Sequence, residues 1–427
     1  MTSDWRDIAL GNVCSKIGSG ATPRGGKETY RGGATALVRS QNVHNDRFSR
    51  NGLAFIDDVQ ATELRSVAVE EGDVLLNITG DSVARCCQVD PGVLPARVNQ
   101  HVAIIRPRAG ELEADFLRYA LITPRMQARL LALASAGATR NALTKAMLDS
   151  LVISAPPLAT QRSIARILGA LDDKIELNRK TNETLEAMAR ALFQSWFVDF
   201  DPVRAKMEGR QPEGMDAETA KLFPPKLASQ SGQALPATWR IGRLGDAVEI
   251  LDSRRIPLSA RQREERPGRF PYHGAAGVMG FVDDYLFDGV HVLVGEDGSV
   301  VTPAGAPVLQ YVEGKFWVNN HAHVLRGNKV SEEHILLALE RTDVRPYVTG
   351  AVQPKLNQAN LKSIPFLFAG SEINAAFARS VSPAFARIRA NLAESRTLAA
   401  LRDALLPKLL SGELRVPDAE RAVSAAL

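Results

Sequence analysis

Two stretches of the chain carry apolar residues in unbroken 4-3 alternation. Ile164, Leu168, Leu171, Ile175, Asn178, Asn182, Leu185, Ala189, Leu192 and Trp196 form one seam. Phe377, Val381, Ala384, Ile388, Asn391, Ser395, Leu398, Arg402, Leu405 and Leu409 form the other. A heptad seam predicts a coiled-coil helix, here over residues 158–198 and again over 370–412. Five heptads rise about 50 Å. Pro156-Pro157 and Asp199-Phe200-Asp201-Pro202 bound the first helix. Pro383 falls inside the second and is expected to kink it, or to mark where its regular part begins. Asn178, Asn182, Asn391 and Ser395 place polar groups near the middle of each seam. Buried Asn weakens a coiled coil but fixes its register and orientation. We assign these four to register rather than to an opening onto a partner or water.

The two seams belong to a larger repeat. Trp5-Arg6 and Leu10-Gly11 return as Trp239-Arg240 and Leu244-Gly245. Val98-Asn99-Gln100-His101, closing at Arg106, returns as Val318-Asn319-Asn320-His321, closing at Arg326. A third block begins at Gly137-Ala138 and Gly350-Ala351 and runs without a gap through Leu143/Leu356, Leu148/Leu361, Asn178/Asn391 and Leu192/Leu405. The offset falls from 234 to 220 to 213, and all of that drift lies before the helices. Each half is therefore a variable-length segment followed by a fixed-length one.

The variable segments read as mixed globules. Short β-rich runs (residues 72–78 and 290–294) alternate with Gly and Pro turns, and helical patches follow near 114–133 and 332–340. The expected fold is mixed α/β. Two globules, residues 1–157 and 238–369, are separated by two long antiparallel coiled-coil helices related by a pseudo-twofold internal repeat. Residues 199–237, rich in Pro, Gly and Ser, read as a linker, and 413–427 as a C-terminal tail.

Composition narrows the class without naming it. The 427 residues suffice for two or three domains. No apolar run approaches a membrane span, and the acidic start of the chain does not read as a signal peptide. Cys14, Cys86 and Cys87 form neither a disulfide framework nor a zinc-ligand spacing, which fits a cytoplasmic protein. A formal charge of +4 permits an acidic partner and does not require one.

Catalytic constellations are not found. Residues 20–27 miss a phosphate-binding loop, and Glu28 stands where Ser or Thr would hold magnesium. Pro156-Pro157 and Pro224-Pro225 lack the flanking residues of an amino-methyltransferase site. His321 and His323 share a strand face, with no third ligand at metal-binding spacing. No nucleophile elbow or H-E-x-x-H helix is present. The chain reads as non-catalytic, with no metal or cofactor of its own.

Recognition remains. The first globule carries Ser19, Thr22, Arg24, Lys27 and Arg31, then Arg39, Gln41 and Asn42. The second carries Arg254, Arg255, Arg261, Arg263, Arg266 and Arg269, then Tyr272 and His273. Arg and Lys neutralise phosphates, and Arg, Gln and Asn form paired bonds with purine edges, so these loops are candidate DNA contacts. A solvated basic surface is the bland alternative, which recurrence in both halves disfavours. The two Val-Asn-Gln/Asn-His elements are assigned to domain structure rather than to base contact.

Residues 161–178, the run Thr181-Asn182-Glu183-Thr184-Leu185-Glu186, and Trp196-Phe197-Val198-Asp199-Phe200 resemble the central region of Type I restriction–modification specificity subunits. Tyr272-His273-Gly274-Ala275-Ala276-Gly277, Val294-Gly295-Glu296-Asp297-Gly298-Ser299 and the two Val-Asn-Gln/Asn-His elements are similar to that family's target recognition domains. The resemblance covers essentially the whole chain in the family's order. It implies two docked methyltransferase subunits and, where present, motor–nuclease subunits. S-adenosylmethionine for adenine N6 methylation, and ATP and magnesium for restriction, would be bound by those partners. It further implies that each globule reads one half of a split site on double-stranded DNA while the helices set the gap. Pro383 departs from the pattern. The rival reading is a coiled-coil scaffold joining two protein-binding domains.

Overall fold

The computed structural model describes residues 4–23, 25, 28, 30, 32–45, 47–136, 141–230, 232–350 and 352–426. Arg24, Lys27 and Arg31 of the first basic loop lie outside the described residues, as do Gly137, Ala138 and Ala351 of the third repeat block. The chain forms two units, residues 1–178 with 393–427 and residues 179–392. Both boundaries fall inside the long helices, Leu158–Phe197 and Ser371–Leu410. Each unit therefore owns one section of each helix.

In the first unit, an antiparallel sheet orders Cys14–Ser19, Val102–Pro107, Val74–Asn77 and Cys86–Gln88. A second sheet orders Ala54–Ile56, Thr35–Val38, Ala96–Val98 and Ala68–Val69, with the central two strands parallel. Val74–Asn77 is buried on both faces because the second sheet's core packs on one side and helical residues on the other. Those helices are Ala114–Ile122 and Pro124–Ser135. Thr123 starts the latter, its hydroxyl accepting from Met126 N and Pro124 taking the first turn. Cys14, Cys86 and Cys87 are free and buried, and burial pushes the Cys14 thiol up to about 12.

The second unit repeats this plan. Its antiparallel sheet orders Val248–Ile250, Ala322–Gly327, His291–Gly295 and Leu309–Val312. Its smaller sheet orders Val278–Val282, Pro267–His273 and Trp317–Val318, again with one parallel pair. Arg6–Ala9 pairs with Val152–Ala155 in the first unit, and Arg240–Arg243 with Pro365–Phe368 in the second. Mixed α/β architecture and internal repeat are both present.

Every position of the two predicted seams is buried or half-buried. In the first unit Asn178 Nδ2 donates to Ser395 Oγ at 3.3 Å and to Glu394 Oε2 at 2.7 Å. Asp172 lies opposite Arg402 in the same unit, so chain direction reverses between the two helix sections. In the second unit Asn391 Nδ2 donates to Asn182 Oδ1 at 2.8 Å, and Phe193 faces Phe377. The polar residues thus meet each other across each seam. Pro383 does not end the distal helix, which is assigned without a break. Pro383 and Arg379, whose carbonyl the proline leaves without an N–H partner, are both exposed residues.

Two boundary expectations give way. Residues 199–237 are folded: Asp201–Met207 and Ala217–Leu222 are helical, and Leu227–Gln230 pairs with Gln233–Pro236. Phe200, Val203, Phe223 and Leu235 anchor them in the second unit's core, against Trp196 and Trp239. The tail also folds: Val416–Ser424 is a helix whose Ala419 and Val423 are buried in the first unit's core.

Candidate nucleic-acid interface

The Val-Asn-Gln/Asn-His elements are tight turns built the same way twice. Asn99 N donates to Val38 O and Asn319 N to His273 O, both at 3.0 Å. The Asn side chain closes the turn, Asn99 Oδ1 accepting from His101 N at 3.1 Å and Asn319 Oδ1 from His321 N at 2.8 Å. Each His carbonyl then accepts from the next loop, His101 O from Ile78 N and His321 O from Glu296 N. That loop in turn accepts from Leu143 N in one unit and Leu356 N in the other. Each imidazole is pinned through Nδ1, by the Thr79 hydroxyl at 2.6 Å and by the Asp297 carboxylate. Asn99 and Asn319 are buried and carry the turn; His321 is exposed and His101 half-buried.

The candidate contact residues divide into two groups. Ser19 and Gln41 are exposed, as is Thr22, whose hydroxyl meets Gln100 Oε1. Arg254 is exposed with its guanidinium over the Phe287 ring. Others hold the domain together. Asn42 is fully buried, donating to Ser49 O and Asn51 O. Arg39 is half-buried, donating to Gly52 O at 2.6 Å. Tyr272 is buried with its hydroxyl bonded to the Leu258 backbone, and Arg263 lies over its ring while donating to Leu258 O. His273 is buried, its Nδ1 against Gln310 Oε1.

Arg255 departs furthest from a surface contact. Its guanidinium reaches Glu296 Oε2 at 2.7 Å, Asp252 at 3.3 Å and Ala322 O at 2.7 Å. His323, fully buried, bonds Asp252 through Nδ1 and Leu356 O through Nε2. Asp252, Glu296 and His323 thereby place three metal-ligand-type side chains within 4.8 Å of one another. Spacing along the chain hid this cluster, because its members come from three separate strand ends. Arg255 and Lys355 match the two carboxylates, so the chain's own cations balance the charge. Burial pushes the Asp252 carboxyl up, but bonds from His323 and Val324 N, with Arg255 nearby, hold it below its ordinary value. In the first unit, strand pairing puts Ser19 opposite Ala103 where Asp252 and His323 stand in the second. The ionic pin belongs to the second unit alone among the described residues.

Beside the first turn lies an open cleft of about 1090 Å³, lined by Gln41, Thr79, Asp81, Arg85, His101 and Asn141 among others. Asn77, fully buried, donates to Ser40 O and Ser82 Oγ, both in the cleft wall. Ala84, next to Arg85, holds φ at +72°, a conformation that costs an L-residue energy and that the Asn77 backbone enforces by pairing with Ala84 and Arg85. Polar groups from four separate segments thus converge on one concave surface.

Residues 2–187 and 236–375 match the family model described as the Type I restriction modification DNA specificity domain. The chain is 25% identical to the HindI specificity subunit of Haemophilus influenzae, covering 96% of this chain and 100% of that protein. It is 26% identical to the MjaIX specificity subunit of Methanocaldococcus jannaschii, covering 97% and 94%. Its fold is similar to the crystal structure of a Type I S subunit from M. genitalium, with TM-score 0.54, 16% identity and coverage of 95% and 96%. Among the described residues no helix is long and apolar enough to cross a membrane. With the family model matched in both repeats, the chain belongs to the Type I restriction–modification DNA specificity family.

Proposed function

We propose that each globule of this specificity subunit reads one half of a bipartite site on double-stranded DNA, while the helix pair sets the spacer and docks two methyltransferase subunits. The observation that carries this reading is the Asn–His turn, built twice with the same backbone bonds, once in each unit. A duplicated reader on one chain matches a site in two parts, just as two readers of a dimer match two half-sites. Chemistry is left to partners: adenine N6 methylation with S-adenosylmethionine in the methyltransferase subunits, ATP- and magnesium-dependent restriction in motor–nuclease subunits where they join. Gln41, Thr22, Ser19 and Arg254 are exposed and suited to DNA contact. Arg255, Asn42 and Tyr272 instead support the loops that present such groups.

The test is a DNA-binding titration of the chain assembled with its methyltransferase subunit, across a salt series. Phosphate contacts predict log affinity falling linearly with log salt, at about 0.9 per phosphate contact. A scaffold that joins proteins predicts no sequence preference and no such slope, and that result would overturn the reading.

A further inference from the structure

Comparing the two units position by position separates what builds the turn from what stands on it. Asn99 and Asn319 match, as do His101 and His321, and these make the frame. Around that frame the side chains differ. Gln100 stands where the second unit has Asn320. Thr79 pins His101 where Asp297 pins His321. Ala142 bridges Thr79 where Lys355 bridges Asp297. Ile78 occupies the place of Glu296, each donating its N–H to the His carbonyl. A duplicated fold must keep its frame to keep its shape; the differing exposed groups are free to discriminate.

We propose that the exposed groups on and beside this frame determine sequence specificity: Gln41, Arg85 and Asn141 for one half-site, and Asn320, His321 and Lys355 for the other. The proposal rests on the half-site reading above and deepens it by naming the residues that read. The first set offers two carboxamides and a guanidinium lining the cleft of about 1090 Å³. Carboxamides make paired bonds with adenine N6 and N7, and guanidinium with guanine O6 and N7. Arg85 is exposed, and the Asn77 pairing fixes the backbone from which its side chain reaches into the cleft wall. Asn77, fully buried behind the cleft, ties Ser40 and Ser82 of its wall together through Nδ2.

The second set is built on charge. Lys355 is exposed and lies 3.4 Å from Glu296 and 3.8 Å from Asp297. Asp297 is occupied by His321 Nδ1, and the His321 ring is itself exposed. Lysine acts as a point charge without the forked geometry of arginine, so it suits a guanine acceptor pair reached singly. The two half-sites are therefore read by different chemistry, despite the shared frame.

The experiment co-expresses the full chain with its methyltransferase subunit and maps methylated adenines in the host's genomic DNA. Arg85→Ala and Asn141→Ala should relax base preference in one half of the methylated motif, by roughly 5- to 150-fold at the affected position. Lys355→Ala should relax the other half. Should Arg85→Ala fail to accumulate, Arg85→Lys keeps the charge, loses the paired donors and must show the same one-sided relaxation. An unchanged motif in all four variants, with the wild type still giving a two-part motif, overturns these residue assignments and leaves the half-site reading standing. Uniformly weaker methylation with an unchanged motif marks phosphate contacts only, and also overturns them. A wild type that gives no two-part motif refutes the half-site reading itself.

Discussion

Asp172 is the point at which the first unit's globule is clamped to its helix sections, and replacing it gives a quantitative test of that clamp. Its carboxylate accepts from Arg118 at 2.8 Å and Tyr119 at 2.7 Å on the globule's helix, and from Arg402 at 2.8 Å on the distal helix. The side chains of Arg118, Arg402 and Asp172 are only 11%, 13% and 16% exposed. Asp172→Ala strands the nearly buried Arg118 and takes from Arg402 one of its two carboxylate partners, Asp403 remaining, a loss of about 3–5 kcal/mol. Hydrogen exchange of amides in residues 164–175 and 398–406 should then accelerate by roughly 150- to 5,000-fold, at about 1.4 kcal/mol per decade. Asp172→Asn keeps the shape and part of the bonding, and should cost about 1–3 kcal/mol. The pH dependence has a definite sign. Burial pushes the Asp172 carboxyl up, but Arg118 and the bonds from Arg402 and Tyr119 outweigh it and hold it below its ordinary value. A depressed carboxyl contributes its stability above the unfolded value of about 3.9 and loses it as pH falls through the folded value. Acid sensitivity below about pH 4 should therefore be weaker in Asp172→Asn. Exchange within tenfold of wild type in Asp172→Ala would refute the clamp.

Three further outcomes follow from the same packing. His334 sits among Phe193, Phe197 and Phe377, and burial pushes its imidazole down to about 3. A buried neutral His costs stability as pH falls from about 6.5, so the second unit should lose about 3 kcal/mol between pH 7 and 4, read as a drop in urea midpoint that His334→Phe abolishes. Gly20→Ala puts a Cβ 2.0 Å from Val98 O and 2.4 Å from Asn99 O, in the turn itself. Neither atom can swing away, so about 3 kcal/mol and a Tm lower by roughly 6–12 °C are expected; an unchanged Tm would show that the turn is loose. Replacing Asn182 and Asn391 together by Leu should raise the denaturant midpoint while letting the helices slip, seen as mixed products in cysteine cross-linking across the seam; a single product would remove the register role.

The helices were legible because a heptad seam writes its burial directly into residue spacing. Asn178, Asn182, Asn391 and Ser395 were legible for the same reason, since a polar residue on an apolar seam must find its partner on the facing seam. The basic loops were only half legible. Residue type alone does not separate Arg254, stacked in the open over Phe287, from Arg255, turned inward. Asp252 and Glu296, which turn Arg255 inward, arrive from strand ends that only the folded sheet brings together. Residues 199–237 misled because Pro and Gly density masked four apolar anchors spaced too widely for any periodic signal. The last helix was within reach of sequence reasoning: Val416, Ala419 and Val423 recur at i, i+3 and i+7, and all three pack against the first unit's core. Asn99 and Asn319 are buried where they close their turns, whereas the exposure of His321 in the same motif emerges only from the turn's geometry.

Modular half-site reading is tested most directly by exchanging residues 1–157 for the first globule of another family member and mapping methylated adenines in cells that also make the methyltransferase subunit. One half of the motif should change, the other half and the spacer staying as they were. A motif altered in both halves, or in neither, would contradict the account.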